Sequence, residues 1–244
     1  METLIAFWNI LKKDIKNYYL KPPNISWGII FPLSWTLMQL IRSPGDVGIV
    51  ELLPGLMAMS ILFGTTSMLA VTITFEKRSK SFDRLLLAPI SISILVSAKI
   101  LGAILFGIVN AFVPVIFAAF LVDSRGISWG IALVAVVLIA ITSALLGLLV
   151  AVSVREVFEA QTLSNFFRFP MLFLCGLFIP IDKLPAILKP ISFCLPLTYG
   201  ADMLNSAIIH SSSFNILLSF AIMLLFIIVL FYLCKRNIEK KWIL

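Results

Sequence analysis

Charge is scarce in this sequence: Asp, Glu, Lys and Arg supply 13% of its 244 residues, against about 25% in an average soluble domain. Histidine is almost missing. His210 stands alone, so no second imidazole is present to share a zinc ion. Cysteine is limited to Cys175, Cys194 and Cys234, all in apolar stretches without metal spacing. They read as small hydrophobes and imply no disulfide framework. No Gly-x-Ser-x-Gly, His-Glu-x-x-His or phosphate-cradling glycine loop occurs, so the chain carries no catalytic constellation and cannot hydrolyse ATP by itself. The net charge of +7 comes with no base-reading motif, which argues against nucleic acid. No short apolar core leads to a small-residue cleavage site, so no signal peptide is expected.

What the sequence has in plenty is oil. Hydrophobic residues make up 61% of it, and the reading is an all-α, polytopic membrane protein forming one domain over 1–244. Six apolar segments are expected to span: about 25–41 (carrying Gln39), 51–75, 95–121 (with Pro114, and Lys99 snorkelling near its start), 129–154, 166–180 and 214–234. The first 21 residues are different. Leu4, Phe7, Trp8, Leu11, Ile15 and Tyr18 share one side of a helical wheel, while Glu2, Asn9, Lys12, Lys13 and Lys16 lie mainly on the other. That pattern suits a helix lying in the membrane interface or packed on a partner. Pro22 and Pro23 stop it. Residues 181–210 are apolar but broken by Pro185, Pro190 and Pro196. A straight span so interrupted leaves backbone groups unpaired in lipid, so two short re-entrant half-helices are expected.

Basic residues set the orientation. They cluster at Lys12, Lys13, Lys16 and Lys21, at Lys77, Arg78, Lys80 and Arg84, and at Lys235, Arg236, Lys240 and Lys241, with Arg155 and Arg168 assigned to the loop after the fourth span. The other side holds Arg42, Arg125, Lys183 and Lys189. Six spans put these groups on alternate sides and both termini in the cytoplasm. Ionisable residues deep in the spans are few, which counts against a proton- or ion-coupled carrier. An ATP-independent channel or secondary carrier is the rival to export driven from outside the chain. A membrane enzyme or structural subunit is the third class.

Residues 76–89 read as one short cytoplasmic helix with Lys77, Lys80 and Arg84 on one face, Phe82, Leu85 and Leu86 roughly opposite, and Pro89 as its stop. It is either a basic interfacial loop or an apolar knob offered to a soluble partner.

The run Phe75-Glu76-Lys77-Arg78 through Arg84-Leu85-Leu86-Leu87-Ala88-Pro89 resembles the first cytoplasmic loop of ABC-2 type permeases, the membrane subunits of ATP-binding-cassette exporters. A second match runs from Phe173 through Gly176, Phe178 and Pro180 to Leu184-Pro185, then Leu195-Pro196-Leu197-Thr198-Tyr199 and Asp202. It is similar to that family's fifth span and following extracellular segment. Asn205 departs from the basic residue many members carry nearby, and no large extracellular insertion is present.

The resemblance implies a dimer of permeases, homodimeric or closely heterodimeric, each docking an ATPase that holds ATP and Mg; this chain itself holds no cofactor. It implies a cell-membrane exporter for lipids, drugs or polysaccharides, with substrate passing along the first, second and fifth spans. Helix 76–89 would be the coupling helix, with Glu76, Arg78, Phe82, Asp83 and Arg84 as contacts. The amphipathic segment within 1–24, with Phe7, Trp8, Leu11 and Ile15, would be the elbow helix among the membrane lipids. Pro180, Pro185, Pro196 and Tyr199 would form either an outer gate or a static cap. Phe166, Phe167, Phe169 and Phe173 either line an aromatic path or face lipid.

Overall fold

The computed structural model describes residues 2–42, 49–87, 90–119 and 126–243. The expected stop at Pro89 and the charge at Arg125 lie outside the described residues, as do the side chains of Gln39 and Arg42. Every regular element described is helical, with no strand among the described residues.

Helix α1 (Glu2–Tyr18) ends before Pro22, as the paired prolines require. The chain re-enters helix at once through α2 (Pro22–Ile25), a π-helical turn over Ser26–Ile30, and α3 (Phe31–Arg42). Next come α4 (Ile49–Arg78), α5 (Ser81–Leu86), α6 (Ile92–Ala119), α7 (Trp129–Ser153) and α8 (Val157–Leu174). The last group is α9 (Leu188–Phe193), α10 (Pro196–Ile208) and α11 (Ile216–Ile238), which runs on into a π-helical turn at Glu239–Ile243.

Local chemistry accounts for the ends. Glu156 and Glu159 form a capping box at the start of α8, which satisfies amides that have no partner in the first turn. The Asn215 side chain accepts from Leu217 N at 2.9 Å to start α11. Pro196 occupies the first turn of α10 behind an extended Leu195, the geometry a proline imposes on itself and its predecessor.

Four of these helices are long and apolar enough to cross a membrane: Val50–Arg78, Ile92–Ile116, Trp129–Ser153 and Ile216–Trp242. The expected first span is interrupted by the π turn, and the expected fifth is α8, which begins nine residues earlier than its apolar run, at Val157 rather than 166.

Helix α4 is the axis of the bundle. Its most apolar stretch is wholly enclosed, and it packs on α6, α7, α8 and α10. Small residues let the neighbours approach. A Cβ built on Gly147 of α7 would stand 3.0 Å from the Thr66 carbonyl oxygen, and one on Gly28 would stand 3.1 Å from Gly64 Cα, so both crossings are closed by the absence of a side chain. Helix α11 is the opposite case: Leu217, Leu225, Ile228 and Phe231 all point outward. An apolar outside on a bundle whose inside is also apolar is what a lipid solvent selects.

Candidate functional site

The end of the bundle where α4, α7 and α11 finish is built around a sharp turn. Helix α4 stops at Arg78, Lys80 takes a left-handed conformation (φ 55°), and α5 starts at Ser81. Ser79 Oγ and Ser81 Oγ both donate to the Glu76 carbonyl, at 3.1 and 3.3 Å, satisfying an orphan acceptor of the helix end. The single helix expected over 76–89 is therefore two: the end of α4 and a six-residue α5 set off by the turn.

Phe82 is the anchor of α5. It is 2% exposed, with its ring edge-on to Trp242 at 4.8 Å between centroids. The apolar knob expected to face a partner is instead buried against the chain's own C-terminal segment. Lys77 also turns inward. Its ammonium lies 4.8 Å over the Trp242 ring and donates to Ala151 O at 2.7 Å, while Lys241 donates to Ser153 O at 3.4 Å. Cations thus close the carbonyl end of α7. Between these parts lies a cavity of about 660 Å³ lined by Lys77, Phe82, Asp83, Leu86, Arg155 and Lys241. The outward face is left with Arg78, Asp83, Arg84 and Leu87, the last 86% exposed.

Glu76 belongs to a different structure. Its carboxylate is fully enclosed and bonds Lys99 of α6 at 2.7 Å and Lys13 of α1 at 2.5 Å. Asp14 meets the same two lysines at 3.0 and 3.4 Å. Two cations and two carboxylates so bind α1, α4 and α6 at one point. Burial raises the Asp14 carboxyl above its ordinary value, opposed by Lys99 and Lys13 and reinforced by Glu76. Burial pulls Lys13 down, but its hydrogen bond and charge contact with Glu76 more than offset this, and its pKa ends above the ordinary value. Glu76 is accordingly a tie within the chain rather than a surface contact, and Lys99 is drawn inward rather than snorkelling out. On α1, Leu11 is buried and Phe7 half-buried against this region, while Trp8, Ile15 and Leu4 stay exposed.

At the opposite end the chain leaves α8 through Gly176 with φ 86°, a conformation that glycine adopts without the strain a side chain brings. The chain then passes Pro180 and Pro185, both exposed, to the short α9 and the buried α10. Ser192 Oγ donates to Leu174 O at 2.6 Å and ties α9 to the end of α8, while Thr198 Oγ1 to Ser192 O at 2.6 Å and Tyr199 OH to Phe193 O at 2.9 Å tie α10 to α9. Asp202 accepts from Ser213 N at 2.6 Å and Ser219 Oγ at 3.2 Å, which holds the start of α11 to α10. Pro196 and Tyr199 sit inside while Pro180 and Pro185 form a rim. Asn205 and Asp202 line a cavity of about 470 Å³ beneath Pro180.

One functional candidate escaped the sequence reading. Arg168 was assigned to a loop, yet it lies within α8 and is 1% exposed. Its Nε donates to Thr66 Oγ1 of α4 at 2.5 Å and Nη1 to Asn165 Oδ1 at 3.2 Å, with the guanidinium 5.2 Å from the Phe63 ring centre. The signal was present as a polar stripe at helical spacing, Gln161, Ser164, Asn165 and Arg168. The phenylalanines divide. Phe169 packs with Phe63, Phe31 and Trp27, whereas Phe166, Phe167 and Phe173 are exposed. No group of histidine, cysteine or acidic residues able to hold a metal occurs among the described residues.

A family model described as ABC-2 type transporter matches residues 5–209. Similar over nearly full length are proteins named inner membrane transport permease YadH from Escherichia coli K12, Escherichia coli O157:H7 and Shigella flexneri. Each is 21% identical across 97% of this chain and 95% of its own length.

Proposed function

Because the chain belongs to the ABC-2 type transporter family, whose permeases work with an ATPase partner, we propose that it is the membrane subunit of an ATP-driven exporter for a hydrophobic, lipid-linked, drug-like or polysaccharide substrate. The observation that carries this reading is a family match over 205 residues (5 to 209) on a multi-pass membrane chain with no sequence for holding nucleotide phosphates. Two copies of the chain line the path, each docked on one ATPase that holds ATP and Mg. The long apolar helices, joined by α2–α3 and by α8, make six spans with both termini in the cytoplasm.

The docking platform for that ATPase would be the turn between α4 and α5. Arg78, Asp83, Arg84 and Leu87 project from a turn that Phe82, Trp242 and the Glu76 ion cluster hold still. A partner moving this turn would pull directly on α4 and through the ion cluster on α1 and α6. At the far end Pro180 and Pro185 are the rim, and Pro196 and Tyr199 the inner wall, of the outer gate.

Two measurements test the reading. The purified chain alone should show no ATP hydrolysis, and adding its co-purifying ATPase partner should give vanadate-sensitive turnover that the permease stimulates. Contaminant-free hydrolysis by the lone chain overturns the two-subunit arrangement. In a background lacking Cys175, Cys194 and Cys234, single Lys13→Cys, Lys80→Cys and Lys240→Cys variants should react with an impermeant maleimide only from the cytoplasmic side, and Lys183→Cys only from outside. Outside labelling at position 80 removes the six-span topology and the docking platform together.

A further inference from the structure

We propose that Arg168 is the binding point for an anionic oxygen on the headgroup of an amphiphile, received between α4, α7 and α8. The proposal deepens the export reading and rests on it for its purpose, although binding can be measured without transport.

The case starts from a missing partner. Among the other buried charged residues described, Glu76, Lys99 and Asp14 are paired with opposite charges at 3.0 Å or less, and both carboxylate oxygens of Asp202 accept hydrogen bonds. Arg168 is 1% exposed and has no carboxylate in ion-pair contact among the described residues. Its hydrogen bonds go to a neutral hydroxyl and a neutral amide. A guanidinium presents a planar fork of donors matched to two oxygens of a phosphate or carboxylate. Here Nε and Nη1 are engaged within the chain, and the third nitrogen, Nη2, is buried without a partner. One turn earlier on the same face, Ser164 Oγ is also buried without a partner. Two idle donors therefore converge on one small space.

The space itself limits the guest. Leu62, Thr66, Leu146, Val150, Ser164 and Phe167 enclose a cavity of about 10 Å³ beside the guanidinium, room for one water-sized group. A whole phosphate does not fit, whereas a single terminal oxygen of a larger molecule does. The only partly exposed aromatic among these walls is Phe167, at 39%, with the exposed Phe166 beside it in edge contact. What stays outside while its oxygen sits on Arg168 thus lies along apolar rings. That selects a molecule with an anionic tip and a hydrophobic body. An ionisable group held at bundle depth without a counter-ion is, by its cost alone, a mark of function.

The test uses the full-length permease, purified in a nonionic detergent at low salt, with thermal unfolding followed by intrinsic fluorescence. The probes are dioctanoyl phosphatidic acid, dioctanoyl glycerol and inorganic phosphate, each titrated into the parent, Arg168→Gln and Arg168→Lys. Phosphatidic acid should raise the parent's unfolding temperature saturably, and the neutral lipid should not. Arg168→Gln should weaken the apparent affinity by about tenfold or more. Arg168→Lys, which keeps the charge but not the fork, should fall between them. Without ligand, Arg168→Gln should unfold no lower than the parent, because an unpaired buried charge has been removed. Inorganic phosphate matching phosphatidic acid in the parent would show that the hydrophobic body adds nothing to binding, and overturns the amphiphile. Equal shifts in parent and Arg168→Gln, or no shift in the parent, overturn the proposal. A permease that binds as expected but fails to stimulate its ATPase counts against the export reading alone.

Discussion

Replacing Glu76 by alanine should cost the fold about 3–5 kcal/mol, the range for removing one member of a buried ion pair. The loss takes from Lys99, which is as deeply buried as Glu76, the nearer of its two carboxylates, at 2.7 Å, and leaves it Asp14 alone at 3.0 Å. Thermal unfolding of the detergent-solubilised protein should drop sharply, with poor accumulation in the membrane. Lys13→Ala removes a shorter contact, 2.5 Å, but should cost under about 1 kcal/mol, because the Lys13 side chain is 34% exposed and water already screens it. The double variant Glu76→Leu with Lys99→Met should recover most of the loss, since no charge is then left alone. A Lys13→Ala variant as damaged as Glu76→Ala would show that the cluster is not organised around the Glu76–Lys99 pair.

The second large effect is expected at Phe82. A buried phenylalanine cut to alanine costs about 3–5 kcal/mol in a rigid core. Here the loss should be taken locally, because α5 is a six-residue element held mainly by that ring. Phe82→Ala should expose 79–87 to protease while the bundle stays folded, and permease-stimulated ATP turnover should collapse. Trp242→Ala should do the same, and the pair should be less than additive by about 0.5–1.5 kcal/mol, the coupling of an edge-to-face contact. Arg84→Glu touches only the outward face, so it should leave protease resistance intact and weaken ATPase docking in a salt-dependent way. Additive Phe82 and Trp242 effects would mean that the ring contact does not seat α5.

Much of this was legible beforehand, and the misses have common causes. Apolar runs and flanking lysines marked the four long helices, and the wheel pattern of 4–18 marked α1. The proline-broken stretch marked α9 and α10. The break at Lys80 was not legible, because a left-handed lysine has no local sequence signature and is stabilised by its surroundings. Which way Phe82 points depends on Trp242, 160 positions later, and Arg168 is held by Thr66, 102 positions earlier. Helical periodicity states which residues share a face, not what the face meets. Lys99 shows the same limit: its distance from a helix end suggested snorkelling, while the carboxylates that draw it inward belong to α1 and α4.

The enclosure of α4 also sets an order on biogenesis. This helix carries Thr65, Thr66, Ser67, Thr72, Thr74 and Glu76 on surfaces that are entirely covered in the finished protein. Of its partners, α1 and α3 are made before it, but α6, α7, α8 and α10 are made after. During synthesis α4 therefore precedes most of what covers it: Thr66 and Thr74 bond carbonyls of α4 itself and Lys13 of α1 is at hand for Glu76, but Lys99 of α6 and Arg168 of α8 are still to come. Leaving that state requires most of the chain to have been translated. The nascent permease depends over this interval on whatever shelters polar spans at the insertion machinery, and a chain cut short after α4 is left with the least apolar of its four long helices lacking the partners that enclose it.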